Sequence, residues 1–286
     1  MNTIILAKEG VFPITKDSSG EPLANIPATG MNQSGTIQGE GKLAGVPSLF
    51  IRLSGCNLQC MWRLANGELS GCDTSYASYH AKETKKMEVD EIVALVKHNL
   101  GNMRHVVITG GEPLLQKTAL AQLCRNLKEI PGLHLTMESN GSLFDEEVAK
   151  EIDLFSISPK LGNSSPDDDK LEHFNLGHKT GLCSHHNRTR MNLGALQQVI
   201  DFAKAHQKDL QLKFVVGKST DAQEIESDFL SQLKNWEAHH VMVMPLGGTP
   251  EQLKISMPIA LDMAIGHGWR YTPRIHIDLF GAKAGV

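Results

Sequence analysis

With 286 residues the chain can build one large α/β domain with a sizeable core, or two small ones. Lys plus Arg number 28 against 32 Asp plus Glu, a formal net charge of −4 with no basic run, so nothing predicts a nucleic-acid-binding face and a small-molecule substrate is favoured. Met1 to Ala7 is too short and lacks the basic lead-in of a signal peptide, and no apolar run is long enough to span a membrane. The expectation is a cytoplasmic protein without membrane contact, whose five cysteines act as metal-binding thiolates rather than disulfides.

In chain order, residues 1–35 read as a lead-in segment, with Gly10 to Met31 a loop rich in Gly, Pro, Ser and Asn. Ser48 to Leu53 is strand-like and delivers the chain into Cys56. Met61 to Gly71 is an excursion carrying the turn signals Asn66-Gly67 and Ser70-Gly71, and it must fold back to Cys72. A cadence of helix and strand follows. The helices are expected at Val89–Leu100, Leu120–Leu127, Phe144–Ile152, Gly194–His206, Ala222–Leu233 and Ile259–Gly266. The strands are expected at His105–Thr109, His134–Met137, Asp153–Ile157, Leu210–Val216, His240–Met244 and near Tyr271–Ile277. This alternation implies an α/β fold, a partial or modified (β/α) barrel with six or seven parallel strands over residues 36–286. Residues 162–193 form an inserted stretch that reads as a solvated loop; the other reading, from Cys183, His185 and His186, is a second metal site.

Three of the five cysteines, Cys56, Cys60 and Cys72, fall in one short stretch. They can hold a cubane iron–sulfur cluster by three irons and leave the fourth open for a ligand that is not protein. They can equally belong to a tetrahedral zinc knot with His80 as the nearest fourth ligand, and the spacing leaves both readings open. Polar residues gather at the same ends of the expected strands. These are Thr109-Gly110-Gly111-Glu112, Glu138-Ser139-Asn140-Gly141, Ser156-Ile-Ser158-Pro159-Lys160, Lys213 and Met244-Pro245-Leu246-Gly247, so one mouth collects them. The Gly-Gly pair would let a ligand reach bare backbone, or else make an ordinary strand-to-helix turn with Pro113 at the first helical position.

Cysteines after the first strand, Gly-Gly-Glu-Pro after the second, Glu-Ser-Asn-Gly after the third and Ser-Pro-Lys after the fourth resemble the radical S-adenosylmethionine superfamily. More narrowly, Thr36-Ile-Gln-Gly-Glu-Gly41, Phe50-Ile-Arg52-Leu-Ser-Gly-Cys-Asn57, Cys72-Asp-Thr74 and Ile157-Ser-Pro-Lys160 resemble the 7-carboxy-7-deazaguanine synthases of queuosine and deazapurine biosynthesis. The resemblance implies a carbon–nitrogen lyase. Cys56, Cys60 and Cys72 would hold a [4Fe–4S] cluster that chelates and reductively cleaves S-adenosylmethionine. The resulting radical would start the ring contraction of 6-carboxy-5,6,7,8-tetrahydropterin with loss of ammonia. The resemblance further places Gly111, Glu112, Glu138, Ser158, Pro159, Lys160, Lys213 and Pro245 around the cofactor. It places Ile37, Gln38, Gly39, Arg52, Thr109 and His276 around the pterin, and gives Thr74 to a Mg²⁺ ion. It also implies a homodimer and an electron donor such as flavodoxin or ferredoxin.

The sequence departs from the common pattern in places. Eleven residues separate Cys60 from Cys72 where two are usual, Ser139 replaces a threonine, and Met244 stands where glutamine is usual. A radical-generating activase of a glycyl-radical enzyme would share the cluster and Gly-Gly-Glu-Pro, but has no use for Gln38-Gly-Glu-Gly41 or a metal ligand at Thr74. A zinc-stapled binding module is the non-enzymatic alternative. For the excursion, the expectation is that Met61 to Gly71 packs against the mouth and shields the metal site, with Trp62 and Leu64 under apolar cover.

Overall fold

Strands made of near-continuous apolar residues are buried on both faces, and the middle of this sheet is built that way: all six residues of His105–Gly110 are buried. The computed structural model describes residues 2–177, 179–283 and 285–286. In chain order its strands are β1 (Thr3–Phe12), β2 (Thr36–Ile37), β3 (Pro47–Leu53), β4 (Met61–Arg63), β5 (Leu69–Gly71) and β6 (Thr84–Glu88). They continue as β7 (His105–Gly110), β8 (His134–Ser139), β9 (Leu154–Ile157), β10 (Asp209–Val216), β11 (Val241–Pro245) and β12 (Arg270–Tyr271). The strands β3, β7, β8, β9, β10, β11 and β12 lie side by side in that order and all parallel, seven as expected. Beyond β3 come β1 and then β6, both antiparallel, while β2 pairs with β3 off the main path and β4 pairs only with β5. Among the described residues β6 and β12 end the order without meeting, so the sheet is open and the barrel partial.

The helices are α1 (Val89–Asn99), α2 (Lys117–Lys128), α3 (Glu146–Ala149), α4 (Asp168–His173), α5 (Leu182–Arg190), α6 (Leu193–Ala205), α7 (Asp221–Glu224), α8 (Pro250–His267) and α9 (Ile275–Phe280). In α1 the stripe Val89, Ile92, Val93 and Val96 is buried, with Asp90 and Glu91 in the first turn and Lys97 and His98 in the last, the charge order that suits a helix dipole. Leu120, Leu123, Cys124 and Leu127 form the inner face of α2, and Cys124 is a fully buried core residue. Among the described residues no helix is long and apolar enough to cross a membrane.

The structure corrects the sequence reading in four places. The division at residue 35 falls inside one sheet, because β1 is a full strand against β3 and β6, and Gly10–Phe12 is its end rather than loop. The strand β6, Thr-Lys-Lys-Met-Glu, was not expected at all: it is a mostly exposed edge whose lysines discourage further pairing, so it carries no apolar signature. The strand expected near Tyr271–Ile277 shrinks to Arg270–Tyr271. Pro273 cannot extend the ladder, and Ile275 N–H leaves the sheet to donate to Gly39 O at 3.0 Å, at the start of α9. Residues 162–193 are not a solvated loop, since they contain α4 and α5 and bury Leu171 and His186. Elsewhere the bounds shift: the helix expected at Phe144–Ile152 is only α3, α7 passes into a π-helical stretch Ile225–Leu230, and α8 begins nine residues early at its Thr249 cap.

Candidate active site

Parallel strands present their C-terminal ends on one side, and the first of them, β3, runs straight into the cysteine loop. That loop is fastened by backbone. Gly111 N–H donates to Leu53 O at 3.1 Å, Glu112 N–H to Gly55 O at 2.8 Å, and Gly55 N–H to Ala77 O at 2.8 Å. The approach is so close that a Cβ on Gly110 or Gly111 would stand 2.0 Å from Leu53 O or Gly55 O. The Gly-Gly pair therefore serves the fold of the cysteine loop directly. Gly111→Ala is expected to cost roughly 3 kcal/mol or more, since backbone cannot yield as a side chain can. Gly266→Ala, where nothing lies within 4 Å of the added methyl, should be neutral or slightly stabilising in the same denaturation measurement.

The eleven-residue excursion is a β-hairpin, with Met61 opposite Gly71 and Arg63 opposite Leu69. Its loop closes through Gly67 N–H to Leu64 O at 3.0 Å and Leu64 N–H to Glu68 O at 2.8 Å, with Gly67 at φ +92°. A hairpin returns the chain to the point where it left, so Cys60 and Cys72 stand beside the paired ends as they would with a short linker. Tyr79 joins them: its hydroxyl accepts from Cys72 N–H at 3.1 Å and donates to Cys60 O at 3.4 Å. Trp62 and Leu64 are buried in a small cluster with Leu58, Cys60 and Leu246.

The three sulfurs sit where a thiolate is costly unless a cation joins them. Burial pushes the Cys56 thiol up to about 12 and raises Cys60 and Cys72 as well, opposed by the Leu58 N–H at Cys56, by Thr74 at Cys72 and by the Lys160 charge at all three. Among the described residues no three His, Cys, Asp or Glu side chains converge to hold a single ion, so neither the zinc knot through His80 nor a second centre at Cys183, His185 and His186 has the geometry. All three cysteines line one cavity, as a cluster held by one thiolate per iron would require.

That cavity has a volume of about 630 Å³, ample for a cofactor and a small substrate. Its walls include Cys56, Cys60, Cys72, Thr74, Gly111, Glu138, Ser158, Lys160 and Lys213, together with Ile37, Gln38, Gly39, Arg52, Thr109 and His276. Each of the strand-end runs expected at one mouth contributes residues to this wall, but not every member of a run reaches it. Three of the residues expected around the cofactor do not line it. Pro245 and Pro159 are replaced there by their neighbours Met244, Leu246, Ser158 and Lys160. Glu112, fully buried, turns away from the cavity: its carboxylate accepts from Leu114 N–H at 3.1 Å, Asn140 N–H at 2.9 Å and Ser139 Oγ at 3.0 Å. It ties the Gly-Gly turn to the loop after β8.

Two clusters of charge face the space. Arg52 lies with its guanidinium 4.8 Å from the Phe12 ring and 5.5 Å from that of Tyr76; its Nε is buried without a hydrogen-bond partner, and among the described residues no acid pairs with it. Glu138 accepts from Gln38 Nε2 at 3.1 Å and Thr109 Oγ1 at 2.8 Å. Opposite, Glu40 pairs with both Lys213 and Arg274, and Arg274 also binds Asp73. Burial alone would raise the Glu40 carboxyl, but Lys213, Arg274 and His276 outweigh it and hold it well below the usual range. Glu40, Asp73 and Arg274 were not singled out from the sequence, although Glu40 and Asp73 stand inside motifs that were quoted. Gly39 admits His276, whose Nδ1 would lie 2.0 Å from an added Cβ.

The radical SAM superfamily profile matches residues 51–204. The 7-carboxy-7-deazaguanine synthase of Halobacterium salinarum is 37% identical over 250 residues, covering 86% of this chain and 87% of that protein. The enzyme of the same name from Rhodopirellula baltica is 36% identical over 249 residues, covering 87% and 85%. The crystal structure of QueE from Escherichia coli matches at a TM-score of 0.51 and 18% identity over 93% of this chain and 95% of that one, a likeness of fold. With three cysteines, a glycine pair and a charged pocket gathered at the C-terminal ends of the strands, and with these relatives, the chain belongs to the radical SAM superfamily and, within it, to the 7-carboxy-7-deazaguanine synthase family.

Proposed function

We propose that the chain converts 6-carboxy-5,6,7,8-tetrahydropterin to 7-carboxy-7-deazaguanine with loss of ammonia, a carbon–nitrogen lyase step of deazapurine biosynthesis. The observation that carries this reading is Arg52, largely buried, without a salt bridge among the described residues and with its Nε lacking a hydrogen-bond partner, on the wall of the cavity that also holds Cys56, Cys60 and Cys72. An Arg held in a cavity wall with no acid in salt-bridge contact is matched to a carboxylate, through two parallel hydrogen bonds. The family implies a [4Fe–4S] cluster and S-adenosylmethionine, for which Cys56, Cys60 and Cys72 are the ligands and Gly111, Ser158 and Lys160 the adjoining wall. When bound, the cluster supplies the electron that cleaves the sulfonium and so provides the radical that takes hydrogen from the pterin.

The chain's own residues then orient and enclose. Arg52 would fix the substrate carboxylate. Gln38 and Thr109 hold Glu138 between the substrate side and the cofactor side. Lys160 donates to Ser158 O at 2.8 Å and to Ser158 Oγ at 2.7 Å, which steadies the turn after β9 where the cofactor's sugar would lie. Trp62, Leu69 and Phe174 wall the space and limit water. Anaerobic reconstitution with iron and sulfide, then incubation with S-adenosylmethionine and the pterin, should give 7-carboxy-7-deazaguanine by mass. Cofactor cleavage without that product, at full cluster content, would reject the substrate.

Thr74 would bring a Mg²⁺ ion to the substrate carboxylate; its Oγ1 lies 3.2 Å from Gly110 O at the cavity wall, a single hard donor that leaves most of the ion's ligands to substrate and water. Thr74→Ala should lower pterin turnover by about tenfold or more while sparing uncoupled cofactor cleavage. Turnover indifferent to EDTA, with the cluster intact, would remove the ion from the scheme. A flavodoxin or ferredoxin as reductant and a homodimeric assembly complete the reading.

A further inference from the structure

The 162–193 insertion reaches the cysteine loop through Asp169, which pairs with Arg63 at 3.6 Å, and through Phe174 and His186. Phe174, just beyond α4, stands against Gly71, where an added Cβ would meet its ring at 3.1 Å. His186, on α5, is fully buried and outside the cavity wall, and its Nδ1 accepts from Gln59 N–H at 3.3 Å. Gln59 lies between the ligands Cys56 and Cys60.

The protonation of that ring follows from its neighbours. Ser164 Oγ spends its one proton on Leu161 O, at 2.7 Å, so at 3.1 Å from His186 Nε2 it can only accept. Nε2 therefore carries the proton and Nδ1 is bare, as Gln59 requires. Burial, reinforced by Arg190, Lys160 and Lys170, holds the ring's pKa down to about 3, so this neutral tautomer persists at working pH.

We propose that His186 is a positioning residue for the cluster: it holds the Gln59 N–H on the side of the loop away from the cavity, and through Ser164 and Leu161 it ties the cysteine loop to the Ser158–Lys160 turn. The proposal rests on the family's cluster at Cys56, Cys60 and Cys72 and not on the identity of the substrate. Hydrogen bonds to cluster sulfurs and access of water both raise a cluster's reduction potential. With Gln59 N–H occupied by His186 and the loop fixed, this site keeps one such donor away and stays strongly reducing, as cleavage of a sulfonium demands.

The test compares the reconstituted full-length chain with His186→Leu and His186→Asn, whose Oδ1 can accept in place of Nδ1. Cluster midpoint is followed by spectroscopic redox titration and iron loss by a chelator. His186→Leu should have a less negative midpoint and lose iron about tenfold faster, the scale on which outer partners of metal ligands act, and His186→Asn should recover most of both. A folded His186→Leu with wild-type midpoint and iron loss would overturn the proposal, as would His186→Asn as impaired as His186→Leu. Should His186→Leu fail to fold, nitrogen NMR of the metal-free wild type decides: a proton on Nε2 supports the assignment, and a proton on Nδ1 overturns it. None of these readouts uses the pterin, so a wild type that assembles its cluster without turning over pterin would sink the substrate reading alone.

Discussion

Cys72→Ala should retain the fold but lose most bound iron and all cleavage of S-adenosylmethionine. Three thiolates act as one unit, each holding one iron, and two cannot keep a cubane with an open corner. Cys72 is the ligand most distant in sequence, yet the pairing of Met61 with Gly71 and the Tyr79 hydroxyl place it beside Cys60. Its side chain is half-buried and packs on the rim of the small cluster around Trp62 and Leu64 rather than in the main core, so circular dichroism should be unchanged. Cys124→Ala, in the core of α2, should cost about 1 kcal/mol and keep the iron, and Cys183→Ala, exposed on α5, should change neither. Full iron content in Cys72→Ala, measured beside 5′-deoxyadenosine formation, would place the third ligand elsewhere.

The central strands were legible because burial on both faces writes apolar runs into them, and the motifs lie at their ends because a parallel sheet opens there. What was not legible has a physical reason in each case. Asn66-Gly67 was visible as a turn, but strands of three residues on either side are too short for an alternating pattern to declare a hairpin. The helices α4 and α5 are short and mostly polar, and their buried residues, Lys170, Leu171 and His186, form no stripe. Glu112 reads as a ligand because it follows Gly-Gly, whereas only the structure shows its oxygens already occupied by Leu114, Ser139 and Asn140. Arg274 left no local trace: its partners Glu40 and Asp73 are 234 and 201 residues away in sequence.

That long-range pairing makes Glu40 the most consequential charge in the cavity. Lys213 and Arg274 are only 6% and 5% exposed, so Glu40→Gln would leave two cations buried with a neutral amide between them, Arg274 paired only with half-exposed Asp73 and Lys213 left to the weaker influence of Glu138. Breaking a buried pair from one side costs about 3–5 kcal/mol, because the stranded charge keeps its desolvation penalty and loses its partner. The pH dependence has a definite sign. The carboxyl is held below its ordinary value of 4.5, so the stability it contributes is complete above that value and is lost as pH falls toward the depressed one. The gap in unfolding free energy between wild type and Glu40→Gln should therefore be level from about pH 8 to about pH 5 and narrow below about 4.5. Iron content should survive, because no cysteine touches Glu40, while pterin turnover should fall with the collapse of the wall that Lys213, Arg274 and His276 share. A gap under about 1 kcal/mol at neutral pH would mean that the freed cations reach water, and that the network is a surface pairing rather than a buried one.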